Sequence, residues 1–81
     1  MSALDYLADT SLPAGIRTHI ENHLVRLARA KDQLTLSLAT ERAEGYVEGV
    51  ESARALTPAT VEALYVAVDN AATARQLELE L

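Results

Sequence analysis

The sequence predicts an all-α protein with a short N-terminal helix, a long central helix and an antiparallel C-terminal helix. Three observations lead to this fold class. The apolar residues are mostly Ala, Leu and Val, with no Phe, Trp or Cys, a composition typical of helix bundles. Apolar residues recur with the helical period. The two prolines stand where helices can begin. We expect residues 1–81 to form a single helical domain.

The N-terminal helix is predicted over about residues 2–8. Ser2 is suited to cap it, and Asp5 occupies the position of a capping box three residues later. Leu4 and Leu7 give the segment one apolar side. Two turns of helix are marginal in water, so we expect this segment to dock on the rest of the chain.

The long central helix is predicted over about residues 12–55, with Pro13 in its first turn. On a helical wheel, one narrow line of positions holds a nearly unbroken set of apolar or small residues, and Lys31 is the only charged residue on that line. Its other members are Ile16, Ile20, Leu24, Leu27, Leu34, Leu38, Gly45, Gly49 and Leu56. An unbroken helix of this length extends about 65 Å. A bend is most easily accommodated between Thr35 and Thr40.

The C-terminal helix is predicted over about residues 58–76, with Thr57 as its cap and Pro58 in its first turn. A short connection to the central helix favours an antiparallel arrangement. Small residues on both helices are then expected to allow a close approach of the two backbones. These helix-packing residues are Gly45, Gly49, Ala53, Ala63 and Ala67.

The apolar line near the start of the central helix predicts an oligomer. A C-terminal helix of about 30 Å covers only half of a 65 Å rod, and an exposed apolar line is typical of a binding surface. A second copy is the simplest cover. An antiparallel pairing brings Arg26 towards Glu44 and the histidines towards Glu48 and Glu51. The predicted partner-binding residues are Ile16, Ile20, Leu24, Leu27, Lys31, Leu34, Tyr46 and Tyr65.

Candidate chemical sites are few. His19 and His23 have the i, i+4 spacing of a metal-binding pair, but no third ligand is evident nearby, so we predict no metal site and no cofactor. Lys31 is either a desolvated amine or a lysine that extends its charge to solvent. Arg42 and Arg75 lie near apolar positions, where either could bind an anion. No catalytic triad, phosphate loop or paired carboxylates in a supporting context are present.

The overall charge and hydropathy exclude several classes of protein. A formal net charge of −5 argues against general nucleic-acid binding, which needs a basic surface. No segment reaches the roughly 20 apolar residues of a membrane span. The N-terminus lacks the features of a signal peptide. We therefore expect a cytoplasmic protein that binds neither nucleic acid nor membrane.

One family resemblance bears on function. The segment Thr57-Pro58-Ala59-Thr60-Val61-Glu62-Ala63-Leu64-Tyr65, followed by Gln76, resembles the last helix of the all-helical chorismate mutases over about twenty residues. That resemblance implies a dimeric mutase in which Lys31, Arg42 and Gln76 match part of the active site. The sequence departs from the motif at Ala43, where the family has its catalytic glutamate.

The leading functional hypothesis is a small non-enzymatic helical module for protein–protein interaction. It is expected to act as a homodimer that inhibits or bridges another protein, in the style of phage-type inhibitors and bacterial adaptors. Two alternatives stay open. One is a chorismate-mutase-like mutase or lyase, and the other is a helical bundle that binds a small ligand.

Overall fold

The computed structural model describes residues 3–81 as a short 3-10 helix followed by three α-helices. The 3-10 helix is Ala3–Leu7, and the α-helices are α1 (Ala14–Ala28), α2 (Gln33–Ser52) and α3 (Pro58–Leu79). The described residues include no β-strand, so the all-α prediction is confirmed. The cap predicted at Ser2 lies outside the described residues.

The predicted continuous central helix is wrong, because the chain stops and restarts helix formation between Ala28 and Gln33. Asp32 adopts an extended backbone conformation, with φ −154° and ψ 173°. Its carboxylate accepts a hydrogen bond from the Thr35 N–H at 2.7 Å and so caps the start of α2. The described chain measures 38 × 23 × 18 Å, far short of a 65 Å rod. Thr35 and Thr40, where a bend was expected, lie inside α2.

The connection between α1 and α2 is fixed by α3. Arg75 donates a hydrogen bond from Nε to the backbone carbonyl of Ala30 at 2.8 Å, and Ala30 itself is buried. A second guanidinium nitrogen of Arg75 lies 3.3 Å from the Glu78 carboxylate. Arg75 therefore has a structural role here, although the sequence offered it as an anion-binding residue.

α3 packs against α2, α1 and the 3-10 helix. Its first residue is Pro58, and the Thr57 hydroxyl accepts a hydrogen bond from the Thr60 N–H at 3.2 Å. Contacts between α2 and α3 run in opposite order along the two helices. The Tyr65 hydroxyl donates to the Glu51 carboxylate at 3.3 Å near the end of α2. Ala72, further along α3, borders a depression with residues from the start of α2.

The bend between α1 and α2 buries the apolar line of α1 inside a single chain. Ile20, Leu24 and Leu27 are all 0% exposed, which corrects the expectation that they remain uncovered. α3 is too short to cover a straight rod of that length. Because the chain folds back after α1, α3 contacts both α1 and α2. The core also includes Leu7, Ala30, Leu36, Ala43, Val47, Val61, Leu64, Ala67, Val68 and Ala71.

The predicted close packing on the glycines is also wrong. Gly45 and Gly49 are exposed, and a Cβ atom built on either would meet nothing within 4 Å. Ala53 is exposed just beyond α2, Ala63 is half-buried, and only Ala67 of the predicted set is fully buried. The interruption before α2 resets the helical phase, so α2 faces the core with another line of residues. That line is Leu36, Ala43, Val47 and Val50.

Candidate anion-binding groove

An open groove lies between the last turns of α1 and the first turns of α2. Its volume is about 450 Å³, which is within the range of about 300–1,000 Å³ typical of ligand sites. The interruption after Ala28 creates the groove, since it lets two successive helices diverge from one connection. The lining residues are His23, Val25, Arg26, Arg29, Ala30, Thr35, Leu38, Ala39 and Arg42.

The groove is lined by cationic side chains. Arg26 and Arg29 come from α1 and Arg42 comes from α2, and no Asp or Glu is among the lining residues. These are three of the seven Lys and Arg residues of a chain with a net charge of −5. Within residues 3–81, no carboxylate forms an ion pair with any of the three. The groove therefore presents positive charge that the described chain leaves unneutralised.

The floor of the groove is apolar. Ala30 is buried, Val25 and Ala39 are half-buried, and Leu38 is 54% exposed at the edge. A ligand for this surface therefore needs both negative charge for the arginines and an apolar part for the floor. A small inorganic anion satisfies only the first requirement.

His23 lies at one end of the groove, against the ring of Tyr46. The ring centroid of Tyr46 lies 5.3 Å from that of His23 and 5.6 Å from that of His19. Burial lowers the pKa of the His23 imidazole, and the positive charges of Arg26, His19 and Arg42 lower it further. The His23 Nδ1 atom is buried and has no hydrogen-bond partner within residues 3–81.

The structure separates the partner-binding residues that the sequence grouped together. Ile16 is half-buried, Lys31 is exposed in the α1–α2 connection, and Leu34 is 70% exposed on α2. Tyr46 packs against the histidines, and burial raises the pKa of its hydroxyl. Tyr65 lies on α3 beside Glu51. The pKa of its hydroxyl is raised, mainly by burial and also by the nearby carboxylates. These five residues are distributed over α1, the α1–α2 connection, α2 and α3.

The sequence points to one of the three groove arginines, but it does not predict that the three lie around one groove. The sequence predicts that Arg42 could bind an anion, and Arg42 lines the groove. It places Arg26 near Glu44 of a second copy and assigns no anion-binding role to Arg29. Their spacing of three residues at the end of α1 indicates a shared face, but only the bend brings that face opposite Arg42.

The residues matched to the chorismate mutase motif are not brought together within this chain. Arg42 lines the groove on the α1 side of α2. Gln76 borders a separate depression on the α3 side, together with Leu36 and Glu41. Lys31 is exposed in the connection between the helices.

Two further observations concern sites of other kinds. Among residues 3–81, no group of three or more His, Cys, Asp or Glu side chains is placed to hold a common metal ion. Over the same residues, every helix is too short or too polar to cross a membrane.

Comparison of the chain with protein-family models, with curated proteins and with solved structures gives no match.

Proposed function

We propose that this chain is a binding protein whose groove takes an acidic, partly apolar segment of another protein. The observation that carries the proposal is the set of Arg26, Arg29 and Arg42 around an apolar floor without a carboxylate. Arginine pairs with carboxylates through two parallel hydrogen bonds. Clusters of arginines commonly recognise acidic motifs. A cleft lined by one sign of charge also concentrates ligands of the opposite sign.

The rest of the chain sharpens the selectivity of such a site. Its net charge of −5 repels acidic molecules at long range, so only a segment that also fills the apolar floor gains enough contact to stay bound. Covering an acidic segment of a target would block that segment from its usual partner. A homodimer would bridge two targets. The proposal therefore includes inhibition of the target, bridging of two targets by a homodimer, and a cytoplasmic location for this protein.

A labelled twelve-residue peptide with alternating Glu and Leu tests the proposal by fluorescence anisotropy. We expect saturable binding to the parent chain that weakens as salt screens the charges. A peptide with Gln in place of Glu should bind at least about tenfold more weakly, a difference of about 1.4 kcal/mol. Its leucines are unchanged, so it controls for apolar adsorption.

Matched protein variants locate the binding surface. Arg29→Glu and Arg42→Glu reverse two charges of the groove and should each abolish binding of the acidic peptide. Arg54→Gln changes an exposed arginine outside the groove and should leave binding unchanged. If all three variants bind like the parent chain, or if the Gln peptide binds as well as the Glu peptide, the groove is not the site.

A small-ligand function is the second candidate, and the groove volume of about 450 Å³ favours it. A volume of this size accommodates a small organic acid, such as an aromatic monocarboxylate. Calorimetric titration with benzoate and phenylpropionate tests this candidate. Binding of the small acids with no binding of the acidic peptide would select it over the protein-binding proposal.

A further inference from the structure

The outer face of α2 carries large apolar side chains that the described chain leaves uncovered. Leu34 is 70% exposed and Leu38 is 54% exposed. Gly45 and Gly49, also exposed, lie on the same line of the helix at the spacing of successive turns. This line, here called the outer face, points away from the core side of α2. It consists of two leucines one turn apart, then a polar interval, then two glycines one turn apart.

We infer that a second copy of this chain covers the outer face by packing its own α2 antiparallel to the first. Place a twofold axis between Glu41 and Arg42. Leu38 then lies level with the partner's Gly45, and Leu34 lies level with the partner's Gly49. Each leucine meets a glycine, and the twofold repeats both contacts. The surface is therefore complementary to itself, as a twofold interface requires.

The glycines provide the space that the leucines need. A Cβ atom built on Gly45 or Gly49 meets nothing within 4 Å in the single chain, so neither glycine is needed for packing inside the protomer. A glycine in a helix interior makes the helix less stable than an alanine would. Without a side chain, the backbone of α2 can approach another helix closely. The two leucine side chains of the partner then fill the space that the glycines leave.

The charges of α2 favour the antiparallel direction. Residues 33–40 carry no charge, whereas Glu44, Glu48 and Glu51 make the second half acidic. An antiparallel pair places most of each acidic half beside an uncharged half, with Glu51 near the partner's Asp32 at the end, while a parallel pair places acid beside acid throughout. At the twofold axis, Glu41 and Arg42 from both copies form a group with no net charge.

One exposed lysine lies close to the start of α2 and favours the same direction of packing. In this arrangement, Lys31, two residues before α2, lies near the carboxyl end of the partner's α2. The last carbonyl groups of a helix carry partial negative charge, which a nearby cation stabilises. Lys31 is exposed in the α1–α2 connection, so its ammonium group is available for this contact.

Pairing through α2 has a consequence for the groove. Leu38 belongs to the outer face and also lines the groove, and Arg42, another lining residue, lies beside the twofold axis. A twofold axis between antiparallel helices keeps equivalent flanks on one side of the pair, so both grooves open on the same side. The dimer then presents Arg26, Arg29 and Arg42 from each copy on one basic surface. This consequence, unlike the interface, rests on the proposed function, and it predicts a dimer that holds two acidic segments side by side.

Analytical ultracentrifugation of the parent chain and three variants tests the interface. We expect the parent chain to sediment as a dimer that dissociates on dilution. Gly45→Leu with Gly49→Leu fills the space for the partner's leucines and should leave a folded monomer at every concentration tested. Leu38→Glu should do the same. Gly15→Leu, at an exposed glycine of α1 with nothing within 4 Å of its Cβ position, should sediment like the parent chain.

Disulfide trapping tests the register, because the chain has no cysteine of its own. A mixture of the Leu38→Cys and Gly45→Cys chains should form a mixed disulfide on mild oxidation, since a disulfide needs Cα atoms closer than about 7 Å. The Leu34→Cys chain alone should form no disulfide-linked dimer, because its two cysteines lie about 22 Å apart along the paired helices.

Several results would overturn the inference, and they are separate from the test of the groove. A monomeric parent chain at hundreds of micromolar contradicts it, as does a dimer that persists in the double glycine variant. Equal trapping of Leu34→Cys would reject the register. Peptide binding by a strictly monomeric chain would reject the interface and keep the proposed function. A stable dimer that does not bind the acidic peptide would reject the proposed function and keep the interface.

Discussion

The imidazole of His23 lies between the positive rim of the groove and the ring of Tyr46. Protonating it would add a positive charge to a half-buried site that already faces Arg26, Arg42 and His19. The neutral form is therefore favoured, and its pKa is lowered. An acidic ligand in the groove would place negative charge beside the same imidazole and raise that pKa again. The pKa of His23 therefore depends both on folding and on whether an acidic ligand occupies the groove.

The lowered pKa of His23 makes stability depend on pH in a definite direction. The unfolded chain takes up a proton near the usual histidine pKa of about 6.5, while the folded chain resists protonation at this site. The contribution of His23 is therefore fully present above that pKa and is lost as pH falls towards the lower folded value. We expect a lower urea midpoint at pH 5.5 than at pH 7.5.

Two variants assign this dependence to one residue. His23→Gln cannot titrate and should reduce the difference between the two urea midpoints, while His19→Gln retains His23 and should keep most of it. Identical pH dependence in His23→Gln and the parent chain would contradict the assignment.

Asp32 provides the second prediction at the scale of single residues. Its carboxylate accepts a hydrogen bond from the Thr35 N–H, and this bond is the main cause of its lowered pKa. Asp32→Ala leaves the first turn of α2 uncapped and should lower the urea midpoint, whereas Asp32→Ser can still accept the bond and should lose less. The Asp32 contribution is present above the usual aspartate pKa and disappears as pH falls through the folded value. Equal midpoints for the Ala and Ser variants would show that the cap is unimportant.

At the scale of elements, the interruption between α1 and α2 decides which residues are buried. Helix formation could continue through residues 29–32 as far as local propensity is concerned, since none of them is Pro or Gly. The Asp32 cap and the hydrogen bond from Arg75 to Ala30 favour the break. The restart of α2 then rotates its leucines Leu34 and Leu38 to the outside and brings Leu36 into the core.

The exposed glycines of α2 give the prediction at this scale. Gly45→Ala and Gly49→Ala add a methyl group where nothing lies within 4 Å, so neither creates a clash within the protomer. Each should raise the free energy of unfolding by about 1 kcal/mol through helix propensity. That gain corresponds to a rise in Tm of about 4–8 °C for a domain of this size. Thermal unfolding at low micromolar concentration measures the effect. A loss of stability would mean that the glycines make close contacts inside the protomer.

At the scale of the whole molecule, one core joins all four helical elements. Leu7 of the 3-10 helix, Leu24 of α1, Val47 of α2 and Leu64 of α3 are each 0% exposed. A chain of this length buries a smaller fraction of its surface than a large domain does, so each of these side chains contributes noticeably to stability. A single protomer therefore has a core of its own, and the outer face of α2 is available for a partner.

A comparison of two leucines tests this division between core and surface. Leu27 is 0% exposed, whereas Leu38 is 54% exposed. Leu27→Ala should cost about 2–5 kcal/mol in the free energy of unfolding, as expected for truncation of a core leucine. Leu38→Ala should cost well under 1 kcal/mol when the protein is dilute, since a surface substitution rarely matters more. Chemical denaturation of both variants checks the prediction, and equal losses would contradict the burial pattern.

The sequence by itself determined that the chain is helical and where its last helix begins. Ala, Leu and Val at the helical period require helices, and Thr57 with Pro58 starts α3 through contacts confined to one turn. These features depend on neighbours in sequence, so they can be predicted without knowing the fold. The hypothesis that Arg42 binds an anion also follows from the chemistry of its side chain alone, and it stays a prediction.

Only the tertiary structure decided which helix faces are buried and which arginines line the same groove. The capping bond of Asp32 is local, but its advantage over a continuous helix comes from α3, which covers Ile20 and Leu24 only when the chain bends. One altered turn changes the phase of every later residue, and so the predicted glycine contact became an exposed surface. Arg26 and Arg42 line one groove because of that same bend. Distant packing energy selected between two conformations that local propensity leaves nearly equal.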